Sequence, residues 1–75
     1  MTRRRLRLIA AGRLTGRQLQ VLRLRATGRT YLEVADVLGI AESTVRNHLF
    51  DAHRRLDVQS TIGAFVKLGW LVPPE

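Results

Sequence analysis

The strongest constraint on this chain is a three-residue break, Gly39-Ile40-Ala41, set between two stretches of helical periodicity. Upstream, Thr30-Tyr31-Leu32-Glu33 has the form of a capping box, in which the hydroxyl accepts from the Glu33 amide while the carboxylate reaches back. Val34, Ala35 and Leu38 then share one face, which predicts a helix over 31–38 ended by Gly39. Downstream, Val45, Leu49, Ala52 and Leu56 recur at i, i+4, i+7 and i+11, a narrow apolar stripe that predicts a helix over 42–56. Ala35 is small where the next helix has to cross closely, and Gly39 permits the positive φ of a sharp turn. Ile40 is expected as a buried plug that, with Val45, locks the crossing angle.

The flanking segments extend the same pattern. Thr15 is a good N-cap, and Val21, Leu24 and Gly28 fall on one face with Leu14 leading in. They predict a helix over 15–27 with Gly28 as its stop. Ser60 is placed to cap a further helix over 61–68, with Ile62, Phe65, Val66 and Leu68 as its apolar side. Trp70, Leu71 and Val72 follow, and Pro73-Pro74 close the chain. Residues 1–13 read as an arm. The expected architecture is all-α: a four-helix helix-turn-helix domain over 14–72 behind a basic N-terminal arm over 1–13.

Size and composition narrow the possibilities. A chain of 75 residues buries only about 60% of its unfolded surface, so the core must be thin. Cysteine is absent, which excludes disulfides and thiolate metal sites and suits a reducing cytosol. No run approaches the roughly 18 apolar residues of a membrane span, and Leu8-Ile9-Ala10-Ala11 is too short for a signal-peptide core. The protein is expected in the bacterial cytoplasm, or in the host cytoplasm if phage-encoded, with no membrane partner.

Charge gives the first functional clue. The net charge is +7, and it is uneven. Residues 1–29 hold nine arginines and no acid, whereas residues 30–75 hold four basic and six acidic groups. Twelve of the thirteen basic residues are arginine, the side chain suited to bidentate contact with phosphate and guanine. A polyanion partner explains the Arg3-Arg4-Arg5-Leu6-Arg7 run better than a solvated tail does.

Two helices joined by so short a turn have helix-turn-helix geometry, which projects the second helix into a major groove about 12 Å wide. Opposite the apolar stripe of 42–56 lie Ser43, Arg46, Asn47, Phe50 and Arg54, a polar and basic set with one aromatic and no acid. Arg46 can bond guanine O6 and N7 together, and Asn47 can pair with adenine in the same way. Phe50 either touches a thymine methyl or is covered at a dimer or arm contact.

In these residues the sequence resembles the LuxR-type (GerE-like) helix-turn-helix domain of bacterial response regulators. The likeness begins at Leu14-Thr15-Gly16-Arg17 and continues through Val21-Leu22-Arg23-Leu24 and Ala26-Thr27-Gly28. It resumes at Glu33-Val34-Ala35 and Leu38-Gly39-Ile40 and is strongest over Glu42-Ser43-Thr44-Val45-Arg46-Asn47-His48-Leu49. Arg54-Arg55-Leu56 and Val58-Gln59-Ser60 close it.

The resemblance implies a sequence-specific double-stranded DNA-binding transcriptional regulator whose third helix reads bases and whose fourth pairs copies. By position, Arg46, Asn47 and Phe50 match residues that face base edges, and Thr44 and His48 match residues on phosphates. Ser43, Arg54, Arg3, Arg4 and Arg5 complete the expected phosphate set, the arm tracking phosphates or entering a minor groove. A homodimer is expected through Ile62, Phe65, Val66 and Trp70. Arg17 matches a structural residue that pairs with acids of neighbouring helices.

Departures from the family pattern generate further expectations. Gln18 stands in place of glutamate, which weakens that local pairing. Ala41 stands in place of the serine that caps the reader helix, so Ser43 is expected to cap instead. Leu19, Leu32 and Val37 are apolar where the family is polar, and Leu6, Leu8 and Ile9 of the arm are expected to cover them. The chain has no room for a receiver or ligand-binding domain and is expected to be a stand-alone version, as in phage and mobile elements.

Catalytic and metal readings fail on geometry. His48 and His53 are five residues apart and diverge by about 140° on a helix, so they cannot share a metal. Ser43, His48 and Asp51 have triad residue types, but one helix cannot align them. No enzyme activity, metal or cofactor is expected, and His53 is expected at a helix junction or the surface. Trp70 is expected as a packing anchor, or with Phe65 and Leu71 as a dimer seam. The rival readings are a sigma region 4-like module meeting RNA polymerase and a mobile-element DNA-binding module for recombination or packaging. A third is a protein-interaction adaptor binding a host transcription factor through Leu19, Leu32, Phe65 and Trp70.

Overall fold

The computed structural model describes residues 2–71. Five helices follow in order: α1 (Arg3–Gly12), α2 (Gly16–Ala26), α3 (Tyr31–Leu38), α4 (Glu42–Leu56) and α5 (Thr61–Leu68). No strand occurs among the described residues. Val72, Pro73 and Pro74, read as the end of the domain, lie outside them.

The core forms around α4. Val45, Leu49, Ala52 and Leu56 are all buried, as their spacing predicts. They meet Val21 and Leu22 from α2, Val34 and Ala35 from α3, and Ala64 and Leu68 from α5. Each fully buried Val or Leu side chain contributes about 1.5–3 kcal/mol, which makes this cluster the main source of cohesion in a chain of 8.5 kDa. Ile40 is half-buried and packs against the cluster, as does Leu19.

The helix ends follow sequence logic. Thr30 and Glu33 form a full capping box on α3, with bonds of 3.1 Å in each direction. Thr15 caps α2, and Gln18 completes a second box by accepting from the Thr15 amide at 3.0 Å. Gln18 therefore strengthens its own helix start while offering no charge to Arg17, and it is the one buried polar residue among the described residues. Arg17 departs from its expected role. Its guanidinium bonds Gln20 within the same helix at 3.2 Å and joins none of the ion pairs among the described residues.

Three helices stop in the same way. Gly39, Asp57 and Gly69 all take left-handed backbone after α3, α4 and α5. In each case the next amide reaches back to close the turn: Ile40 to Ala35, Val58 to His53 and Trp70 to Phe65, at 3.1, 3.0 and 2.8 Å. These are Schellman closures, which satisfy carbonyls left open at a helix end.

The arm is where sequence and structure part. Arg3–Gly12 is helical, capped by Thr2, and packs on α5 with Ala10 buried. The Arg7 side chain lies across Gly69, where a Cβ would force it to move. The arm does not cover the apolar surface expected of it. Leu6, Leu8 and Ile9 are exposed, and so are Leu32 and Val37 on α3, whereas Leu19 packs against the core. Helix α1 packs on α5 instead, with Ala10 buried and Ala11 against the core.

On α5 the buried residues are Ala64 and Leu68, with Phe65 and Val66 half-buried. Ile62, expected on the apolar side, is 63% exposed. The burial periodicity runs through the smaller alanine.

Asp57 is the only described non-glycine residue with positive φ, at 55°. Left-handed backbone disfavours side chains with a Cβ, and a negative charge at a helix C-terminus opposes the macrodipole. Asp57→Gly removes both at the cost of extra freedom in the unfolded chain. A net stabilisation of about 0.5 kcal/mol is expected, read as a higher urea midpoint with an unchanged slope.

Candidate nucleic-acid interface

With one stripe of α4 buried, the opposite side is fixed in solvent. Ser43, Arg46, Asn47, Phe50 and Arg54 are all exposed. The structure brings these five predicted residues onto one edge of a 15-residue helix. Thr44 and His48 are half-buried along the neighbouring edge. Phe50 is 62% exposed, so neither α1 nor any other described segment covers it. Arg3, Arg4 and Arg5 are exposed on α1, apart from the α4 residues in the chain.

Helix α4 begins at Glu42, not later. Ala41 occupies the cap position and makes no side-chain cap bond, so Ser43 does not take over as expected. Ser43 is already inside the first turn of the helix. The start is held by the turn, through the Thr44 and Val45 amides donating to the Ala41 carbonyl.

The edge is also less free of acid than the sequence pattern implies. Arg46 Nη2 donates to Glu42 Oε1 at 3.0 Å, an exposed i,i+4 pair worth about 0.3–0.5 kcal/mol. Asp51 lies 3.8 Å from Arg54. The Arg54 guanidinium also sits 5.9 Å from the Phe50 ring centre. Across the turn, Arg46 lies over the Tyr31 ring at 5.4 Å, and Arg25 of α2 lies 4.8 Å from the same ring. Glu42, Tyr31 and Arg25 were not singled out by sequence reasoning. The Glu42–Arg46 spacing was a readable signal, whereas the Tyr31 contacts depend on how α3 crosses α4.

The histidines divide as their positions suggest. His53 Nε2 lies 3.2 Å from Thr61 Oγ1 and ties α4 to α5, at the helix junction expected for it. Lys67 adds a second tie, donating to the Leu56 carbonyl at 2.6 Å. Ser43, His48 and Asp51 form no hydrogen-bonded chain among the described residues, which hold no cluster of metal-ligating side chains. Trp70 only partly meets its expected packing role: it stacks at a tilt on Phe65, 5.9 Å between ring centres, yet stays 38% exposed.

A reader helix held by a three-residue turn, with a polar and basic outer edge, defines a helix-turn-helix DNA-binding domain. The family described as bacterial regulatory proteins, luxR family, matches residues 6–68. The chain belongs to this family of LuxR-type bacterial regulatory proteins. Spore germination protein GerE of Bacillus subtilis (strain 168) is 40% identical over 55 residues, covering 73% of this chain and 74% of GerE. Transcriptional activator protein CarR of Pectobacterium carotovorum subsp. carotovorum is 44% identical over 54 residues, covering 72% of this chain and 22% of CarR. Transcriptional activator protein AnoR of Acinetobacter nosocomialis is 37% identical over 54 residues. The chain spans less than a quarter of the length of these two activators. No solved structure matches it.

Burial holds the His53 imidazole below its usual range. The folded protein therefore takes up this proton less readily than the unfolded chain. That contribution to stability is complete above the unfolded value, near pH 6.5, and is lost as pH falls from there toward the folded value. A series of urea midpoints from about pH 7.5 to 5 is expected to decline, and His53→Gln is expected to remove that part of the decline. Thr30 acts similarly at lower pH: its amide, then its hydroxyl, holds the Glu33 carboxyl below the usual carboxylate range.

Proposed function

We propose that the protein is a sequence-specific reader of double-stranded DNA that lays α4 in the major groove. The observation that carries this reading is the exposed edge Ser43, Arg46, Asn47, Phe50 and Arg54 opposite a fully buried stripe. Arg46 contacts guanine O6 and N7, Asn47 pairs with adenine, and Phe50 packs on a thymine methyl. Ser43, Thr44, His48 and Arg54 hold phosphates on either side. The start of α4 lacks a side-chain cap, so its first amides and the positive end of its dipole suit a phosphate oxygen there.

Residues 14–72 carry this unit, and residues 1–13 are its basic extension. Arg3, Arg4 and Arg5 of that extension contact phosphates. Two copies pair through α5, with Ile62, Phe65, Val66 and Trp70 at the contact, and so read two half-sites about one helical turn apart. The exposed Ile62 and Trp70 support this pairing. On this reading the protein works in the cytoplasm without catalysis. RNA polymerase is a further partner, and the exposed Leu32 and Val37 on α3 offer apolar surface for it.

Selection from a random duplex pool tests the reading. Wild type is expected to recover a defined site, and Arg46→Ala to lose about 1–3 kcal/mol of discrimination at one guanine, with Asn47→Ala acting at a neighbouring adenine. Equal recovery of all sequences by wild type would refute it. Replacing Arg3, Arg4 and Arg5 together by alanine is expected to weaken binding to all duplexes alike. The log–log salt slope should then become shallower by about 2–3, measured by titration at several salt concentrations.

A further inference from the structure

One side chain off the reading edge is placed to govern how Arg46 is presented. Tyr31 is the first residue of α3 and is half-buried. Its ring receives Arg46 from α4 at 5.4 Å and Arg25 from α2 at 4.8 Å. Arg25 is anchored in turn, with its guanidinium donating to the Arg29 carbonyl. Arg46 is held at its other side by Glu42.

We propose that Tyr31 is a specificity-positioning residue, the aromatic floor that fixes the Arg46 guanidinium for base contact. This rests on the reading of Arg46 given above. An arginine on an exposed helix face has several rotamers of similar energy, and fixing one of them removes an entropy cost from binding. Glu42 alone, an exposed ion pair, holds the side chain weakly. The ring adds attraction to the guanidinium face and leaves its N–H rim open, so stacking and base pairing do not compete. Glu42 occupies only one N–H of Nη2, and Nη1 makes no hydrogen bond among the described residues. Because Tyr31 sits on α3 and Arg46 on α4, the presentation also depends on the crossing set by the turn.

The test compares Tyr31→Phe, Tyr31→Leu and Arg46→Ala in the random-duplex selection, each alone and with Tyr31→Leu combined with Arg46→Ala. The preference for the base that Arg46 reads is expected to fall about 2- to 5-fold in Tyr31→Leu. It should be kept in Tyr31→Phe, and Tyr31→Leu should add no further loss to Arg46→Ala. Preferences at the other positions should be unchanged, an outcome that mere loosening of the fold would not give. If Arg46→Ala loses discrimination but Tyr31→Leu does not, or if Phe fails as badly as Leu, this inference alone is overturned. If Arg46→Ala itself retains the wild-type preference, the base-reading role of Arg46 falls and the inference with it.

A second measurement does not depend on the leucine variant folding. In wild type the Arg46 side-chain proton resonances are expected to be shifted upfield by the ring beneath them. Resonances at ordinary arginine positions would overturn the proposal.

Discussion

The buried stripe Val45, Leu49, Ala52 and Leu56 controls the rest of the molecule. It is the surface on which α2, α3 and α5 all converge. Because four residues at 3.6-residue spacing subtend a narrow arc, burying them dictates which residues of α4 point the other way. The polar edge is thus a geometric consequence of the core. Shifting the stripe by one position would turn the edge by about 100° and remove it from any groove it fits. The core fixes the orientation of the chemistry as well as its stability.

The turn Gly39-Ile40-Ala41 extends this control from one helix to two. Gly39 takes the left-handed backbone, and Ile40 packs against the core, so the α3–α4 angle has little freedom. That rigidity sets more than the entry of α4. It brings the first residue of α3 beneath Arg46, which makes the start of one helix part of the presentation of the other. A residue on the supporting helix can in this way affect base choice without touching DNA.

Wherever one helix carried both the pattern and its consequence, the sequence was a reliable guide. The buried stripe, the exposed edge, the Thr30–Glu33 box and the left-handed Gly39 all follow from spacing and residue type within a short window. Failures occurred where two elements had to meet. Residues 1–13 read only as a basic arm, and three arginines at the positive end of a helix dipole do oppose helix formation there. Its helix is capped by Thr2 and packs on α5 with Ala10 buried, and that packing lies in no local window. Ile62 was placed on the apolar side of the last helix, but the buried side of α5 runs through Ala64 and Leu68 and leaves Ile62 in solvent. Ala41 was expected to pass the cap to Ser43, but the turn geometry fixes the helix start and tolerates an uncapped one. Glu42 is legible as an i,i+4 partner of Arg46, although it lies outside the acid-free set.

The docking of α1 on α5 alters what the charge distribution means. Five of the nine arginines before residue 30 lie in residues 1–13, and in a loose arm they would form a diffuse positive charge. Held on a helix that is anchored to the body, Arg3, Arg4 and Arg5 have a fixed place relative to the fold, and their mutual repulsion is not relieved by chain motion. Only modest packing, chiefly Ala10, opposes that repulsion and the unfavourable dipole. Like charges confined in this way are relieved by a nearby polyanion and not by a neutral partner. The same docking restricts α5. Ala64 and Leu68 are committed to the core and α1 takes a further side. A second copy would therefore meet an eight-residue helix mainly at the side marked by Ile62, with α1 standing beside the contact.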